Sequence, residues 1–205
     1  MSRRMVLSWM GRIAVAAGSA ALLWVGFSYW GAARFQRAGN RRLDQLRAAR
    51  AAAPARAASA AFLALPPAAG AELGRIVIPS LGVAAVIVQG TGAGALRHAV
   101  GHWDGSALPG QPGNVVLAGH RDTFFRPLRN IREGQVITLQ TSTASFRYRV
   151  QTTAIVSPAD LAVLAPSRRD ILTLVTCYPF YYIGPAPRRF IVRARRLAPP
   201  GSPPR

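Results

Sequence analysis

Three regimes of apolar and polar patterning divide this chain. From Ile13 to Ala33 no charged residue occurs, and as a helix that run is about 30 Å long, the thickness of a bilayer's hydrocarbon core. Trp9 before it and Tyr29 and Trp30 at its far end suit the aromatic belts of a membrane–water interface. Arg3, Arg4 and Arg12 also fit the basic start of a cleaved signal peptide, with Gly31-Ala32-Ala33 as a small-residue cleavage site. The length of the apolar run favours an uncleaved anchor, preceded by a short segment, residues 1–12. Residues 34–72 are rich in alanine and arginine, with prolines at Pro54, Pro66 and Pro67. Leu43 and Leu46 permit a short helix there, but no apolar stripe is wide enough to demand a core, which predicts a stalk.

Between residues 73 and 197 the pattern changes to short β-type runs separated by Gly, Pro and Asn. They fall at 75–78, 84–88, 115–118, 135–139, 145–156, 171–176 and 190–194. The cleanest alternation sets Phe146, Tyr148, Val150 and Thr152 against Arg147, Arg149 and Gln151, a half-buried strand with arginines facing solvent. Helical signals are sparse: 94–98, a turn at 123–128, and 158–164, with Ser157 as a cap before Pro158. Many short strands and few helices predict an all-β barrel or sandwich. Residues 198–205, rich in proline, read as a disordered tail.

Composition narrows the function. The formal net charge is +19 and all basic side chains are arginine, which favours attraction to anionic surfaces. The arginines are spread along the chain without a recognition helix or an interleaved aromatic signature, so nucleic acid is not the expected partner. Seven acidic residues in all leave little for paired-carboxylate catalysis or calcium, and no His/Cys cluster offers a metal site. No cofactor is expected. A single cysteine excludes an intrachain disulfide.

That cysteine, Cys177, ends the apolar run Ile171-Leu172-Thr173-Leu174-Val175-Thr176, and Arg189 opens the next run, Phe190-Ile191-Val192. A strand ending in a thiol, and a returning strand beginning with arginine, bring a nucleophile and a cation to one end of a sheet. A third apolar strand, Asn114 to Ala118, delivers His120 to a loop. A lone cysteine is more often a buried hydrophobe than a nucleophile; the histidine and arginine reverse that balance here. His98 and His102 are the competing histidines, read as structural, since neither follows an apolar strand as His120 does. Arg188 is the rival to Arg189, and strand alternation lets only one of the two point at the thiol. The loop after Cys177 carries Tyr178, Phe180, Tyr181 and Tyr182, either core or a wall for substrate.

Thr173-Leu174-Val175-Thr176-Cys177 resembles the TLxTC motif of sortases, membrane-anchored cysteine transpeptidases of bacterial surfaces. Asn114 to His120 is similar to their strand-to-histidine segment, and Arg189-Phe190-Ile191-Val192 to their arginine strand. The flanks Arg121 to Leu128 and Tyr178 to Tyr182 look most like the class D branch. For residues 73–197 the resemblance implies a closed eight-stranded β-barrel with short helices, preceded by one N-terminal transmembrane helix. It further implies catalytic Cys177, His120 and Arg189; the position of the loop beside them suggests Thr176, Tyr178, Phe180 and Tyr182 as substrate-binding residues. The implied substrates are surface proteins bearing a C-terminal LPxTG-like signal, with a cell-wall precursor or a protein lysine as amine acceptor. A monomer is expected. Arg34, Arg37, Arg41 and Arg42 just after the span would by the positive-inside rule hold the domain in the cytoplasm. The resemblance instead implies a single pass through the bacterial cytoplasmic membrane, with the domain outside. The alternative function is a catalytically idle membrane-tethered barrel acting as a binding or assembly module.

Overall fold

The computed structural model describes residues 3–52, 66–182 and 184–198. The Pro54-bearing part of the expected stalk, residues 53–65, and the tail from 199 onward lie outside the described residues. Eight strands close a barrel: β1 (Glu72–Ile78), β2 (Val83–Gln89), β3 (Val100–His102), β4 (Asn114–Ala118), β5 (Val136–Gln140), β6 (Ser145–Val156), β7 (Ile171–Tyr178) and β8 (Arg188–Arg196). Their order around it is β1-β2-β3-β4-β7-β8-β6-β5, with β5 returning to β1. Two neighbouring pairs are parallel, β2 with β3 and β4 with β7; the others are antiparallel. The all-β expectation holds, and β3 is an eighth strand that the periodicity does not reveal.

Alternation explains how these segments fill the barrel. Ile76 and Ile78 of β1, Ile87 of β2, Leu117 of β4, Ile137 and Leu139 of β5, and Leu172 and Leu174 of β7 are fully buried in one core. Burying a side chain of this size is worth about 2 kcal/mol, so the barrel interior dominates the domain's stability. On β6 the expected pattern holds through Tyr148 and Val150. Gln151 is then left unpaired between the Val150–Ala194 and Thr152–Arg193 pairs. This bulge turns the strand away from the core, and Thr152, expected inside, is exposed. Burial also pushes the Tyr148 hydroxyl up to about 12.

The largest departure lies before the barrel. A single helix, α1 (Arg3–Ala52), runs through the apolar segment and on into the expected stalk. Its first part is long and apolar enough to cross a membrane. Its last turns lie against the barrel: Leu43 is buried, Asp44 pairs with Arg75 at 2.9 Å, and Arg47 donates to the Thr141 carbonyl at 2.8 Å. A second helix, α2 (Ala93–His98), links β2 to β3. The helix expected at 158–164 shortens to one 3₁₀ turn at Leu161–Leu164. Its cap is Asp160, which accepts from the Ala162 N–H, while Ser157 accepts from the Ala159 N–H.

Candidate active site

The site is built on the outer face of three adjacent strands, β4, β7 and β8. Side chains alternate along each: Leu172 and Leu174 join the core and Thr176 shares their parity, which leaves Thr173, Val175 and Cys177 to the other face. On β4, Val115 and Leu117 join the core, leaving Val116 and Ala118 on that same outer face. On β8, Val192 and Ala194 join the core and Ile191 stands opposite them. Val116, Ala118, Val175, Cys177, Arg189 and Ile191 accordingly line one cavity of about 390 Å³.

Register then fixes which residues meet. Cys177 pairs directly with Arg189 across the β7–β8 ladder, while Tyr178 pairs with Arg188. Arg189, not Arg188, therefore shares the outer face with the thiol. In the parallel β4–β7 ladder Ala118 pairs with Val175, and the Gly119 N–H continues it by donating to the Val175 carbonyl at 3.1 Å. His120 and Cys177 each lie two residues beyond that last pair, and both line the cavity. The buried Thr176 hydroxyl stitches the two segments together by donating to the Gly119 carbonyl at 2.8 Å.

The turn after His120 is closed by the Phe125 N–H, which donates to the His120 carbonyl at 3.1 Å. Gly119 is required here: a Cβ would sit 2.8 Å from the ring of Phe125, which is completely buried. Sequence thus places a glycine where strand and ring must touch, and the histidine that follows is thrown outward. His120 is exposed, Cys177 and Arg189 half-buried. The Arg189 Nη1 donates to the Ala186 and Arg188 carbonyls at 3.2 and 3.1 Å, which anchors the guanidinium at the rim.

A wall of the cavity comes from the β6–β7 connection, through Val156, Pro158, Leu161, Val163 and Leu164. Two buried polar residues on that outer face hold it. The Thr173 hydroxyl donates to Asn114 Oδ1 at 2.8 Å, and Asn114 Nδ2 donates to the carbonyls of Ala165 and Val163 at 3.0 and 3.3 Å. Thr91, Leu96 and Trp103 add to the lining. These residues belong to loops and to the shortest elements, where no periodic signal marks them.

Of the sequence-predicted site residues, Cys177, His120, Arg189 and Thr176 line this one cavity. Tyr178, Phe180 and Tyr182 do not. Tyr178 follows Cys177 on a strand, so its ring goes to the opposite face and stacks with Phe190, with centroids 6.5 Å apart. Phe180 packs against the barrel core and meets Phe190 edge-on at 5.3 Å. Tyr182 is exposed, with the Arg121 guanidinium 5.7 Å from its ring centre. His102 is buried on β3, with its ring nitrogens 2.9 Å from Gln89 Oε1 and from the Ala107 carbonyl. Burial holds its pKa below the usual value. No cluster of metal-ligating residues occurs among the described residues.

Comparison with known proteins bears directly on this arrangement. Residues 76–197 match the Sortase domain family. Sortase D of Bacillus subtilis (strain 168) is 37% identical over 132 residues, covering 64% of this chain and 67% of that protein. Among solved structures, a Clostridium perfringens Sortase D5 transpeptidase superposes with a TM-score of 0.59 at 30% identity, covering 64% of this chain and 82% of that one. A Clostridium perfringens sortase C solved with the C-terminal cell wall sorting motif gives 0.59 at 31% identity, over 64% and 73% of the two chains. The eight-stranded barrel is thus matched both in sequence and in shape, and the chain belongs to the sortase family of cysteine transpeptidases.

Proposed function

We propose that this enzyme cleaves an LPxTG-like sorting signal between threonine and glycine and transfers the new acyl group to an amine. The observation that carries the reading is the placement of Cys177 directly across from Arg189, with His120 lining the same largely apolar cavity. The relative solved with a cell wall sorting motif supports the same class of substrate.

Cys177, as thiolate, attacks the threonine carbonyl carbon, and the carbonyl π electrons move onto oxygen. Arg189 keeps its charge at any working pH, so it serves as hydrogen-bond donor to the developing oxyanion and not as a base. His120, the one exposed imidazole at the thiol, protonates the departing glycine nitrogen as the C–N bond breaks. A thioester remains. The incoming amine loses its proton to His120 as it attacks, and the thiolate leaves. The roles rest on chemistry available to no other nearby group, since the lining holds a single carboxylate, Asp160, whose oxygen caps the 3₁₀ turn.

The apolar wall from the β6–β7 connection is the surface against which the leucine and proline of the signal would rest. That assigns to Val156–Leu164 the part that the sequence suggests for Phe180 and Tyr182. The apolar part of α1 anchors the chain by a single pass, with the barrel outside the cell, where surface proteins expose such signals.

The test uses the full chain in detergent micelles, a fluorogenic LPxTG peptide, and hydroxylamine as probe amine. The expected result is a Cys177 thioester by mass spectrometry, cleaved peptide hydroxamate, and no turnover by Cys177→Ala. His120→Ala and Arg189→Ala should also slow alkylation of Cys177 by iodoacetamide. Cleavage by Cys177→Ala at the wild-type rate would overturn the mechanism.

A further inference from the structure

Strand β2 is paired on one side along its length by β1, but on the other side β3 reaches only Ile87, Val88 and Gln89. Upstream of Ile87 that edge has no strand partner among the described residues, and an unpaired edge within a barrel wall would expose backbone polar groups. Helix α1 fills this gap. Gln36 Oε1 accepts from the Val86 N–H at 2.8 Å, while its Nε2 donates to the His98 carbonyl at 2.8 Å. One amide side chain thus satisfies the strand edge and the last turn of α2 together.

The packing around Gln36 is close. Phe35 packs on Val86, Val88 and Ala99, and its ring centre lies 6.1 Å from that of His98. One turn on, Gly39 is buried, and a Cβ there would stand 2.9 Å from Val86 Cγ2. Only a glycine lets the helix come this near. The same short α2 that Gln36 holds presents Leu96 to the cavity beside Cys177. Phe35 and Gln36 follow Ala33, the end of the apolar run, by less than one helical turn. The anchor therefore touches the element that forms a wall of the active site almost as soon as it leaves the span.

We infer that the segment of α1 from Phe35 to Arg47 is a working part of the catalytic domain, and that Gln36 is a positioning residue which fixes α2 and, through Leu96, the shape of the substrate cavity. The inference rests on the proposed cavity for its kinetic consequence, not for its structural one. A tether would leave α2 and the cavity indifferent to the helix. A docked strut holds both to a set form, and it keeps the barrel at a fixed height above the membrane.

The test compares the full chain in lipid nanodiscs with Gly39→Leu, which wedges the helix from Val86, and with Gln36→Ala and Gln36→Glu. Hydrogen exchange is followed at residues 36–47, 92–99 and 171–178, and KM and kcat are measured with the fluorogenic LPxTG peptide. Gly39→Leu should speed exchange at 36–47 and at 92–99 at least tenfold, leave 171–178 unchanged, and raise KM about fivefold with kcat within twofold. Gln36→Ala should speed exchange at 92–99 and raise KM in the same sense. Gln36→Glu, which keeps the acceptor for Val86 but loses the donor to His98, should show the α2 effect alone. Faster exchange at 36–47 with α2 and KM unmoved would reduce α1 to a tether and overturn the proposal. So would unaltered exchange at 36–47 in Gly39→Leu, since the helix would not be docked as described. If the wild type fails to turn over the peptide, the substrate assignment falls, and exchange at 92–99 still decides the positioning role.

Discussion

Replacing Thr176 with valine isolates the side-chain bond that joins the strand of Cys177 to the residue before His120. The two side chains have nearly the same volume, so no cavity opens. What is lost is the 2.8 Å bond from the hydroxyl of Thr176, a residue only 2% exposed, to the carbonyl of the buried Gly119. A neutral hydrogen bond is worth about 1 kcal/mol net, and a buried acceptor left without a partner costs about 1–3 kcal/mol. The destabilisation should therefore fall at roughly 1–3 kcal/mol, which for a domain of this size lowers Tm by about 4 °C per kcal/mol. The Gly119 N–H still donates to Val175, and Phe125 still closes the turn, so the fold survives. His120, held from one side fewer, should lose alignment with the thiol. If about 1.4 kcal/mol of that bond is felt in the transition state, kcat/KM drops about tenfold. Urea unfolding gives the first number and peptide cleavage the second. Thr176→Ser, which keeps the hydroxyl, should recover most of both. A valine variant with wild-type stability and kcat/KM within twofold would refute the argument that this bond sets the histidine.

Further predictions follow from the same geometry. Phe180→Ala should destabilise the domain by about 1–3 kcal/mol through its lost contacts with the core and Phe190, measured by urea unfolding, while KM for the peptide changes less than twofold. Arg189→Lys keeps the charge but loses the planar guanidinium, whose Nη1 donates to two carbonyls at the rim while its other nitrogens stay available to the oxyanion; kcat should fall at least tenfold, with KM nearly unchanged. Burial lowers the pKa of His102 below 6.5 in the folded barrel, whereas the unfolded chain takes up a proton near that value. The unfolded state thus binds more protons below pH 6.5, so the stabilisation present above it is lost as pH falls toward the lowered folded value. The urea midpoint should decline between pH 7 and 5, and His102→Gln should flatten that decline.

The barrel is legible in the sequence wherever a strand is long enough to alternate. Ile76 and Ile78, Ile137 and Leu139, Tyr148 and Val150 each mark an inward face at every second position. Strand β3 has three residues, one of them Gly101, so no period can emerge from it. The docking of α1 escapes a hydropathy stripe for a different reason. Its contact face, Phe35, Gln36, Gly39, Leu43 and Arg47, has helical spacing but only two apolar side chains. An amide bridging two backbone groups, a glycine allowing close approach, and an arginine reaching carbonyls of the β5–β6 turn supply the rest. A count of apolar residues cannot register such contacts, although each stabilises the packing.

For the site, parity along the strand is the stronger guide than residue type. Alternation separates Arg189 from Arg188, and applied one strand away it also separates Cys177 from Tyr178. The ring next to the nucleophile must face the core for the same reason that the arginine next to Arg189 must face away. An aromatic-rich loop suggests a substrate wall by composition, yet its first residue is already committed by the strand it continues. Phe180 follows, carried by the contacts of Tyr178 and Phe190 into the end of the barrel. What sequence cannot supply is the parallel pairing of β4 with β7, because strands that run parallel have no hairpin to reveal their neighbour. That pairing aims the chain after β4 at the cavity that Cys177 lines, and the covering segment 156–164 is drawn over it by Asn114, a buried amide at the start of β4. The chemistry at the rim therefore depends on a polar residue six positions before the histidine, whose function is to bind backbone and not substrate.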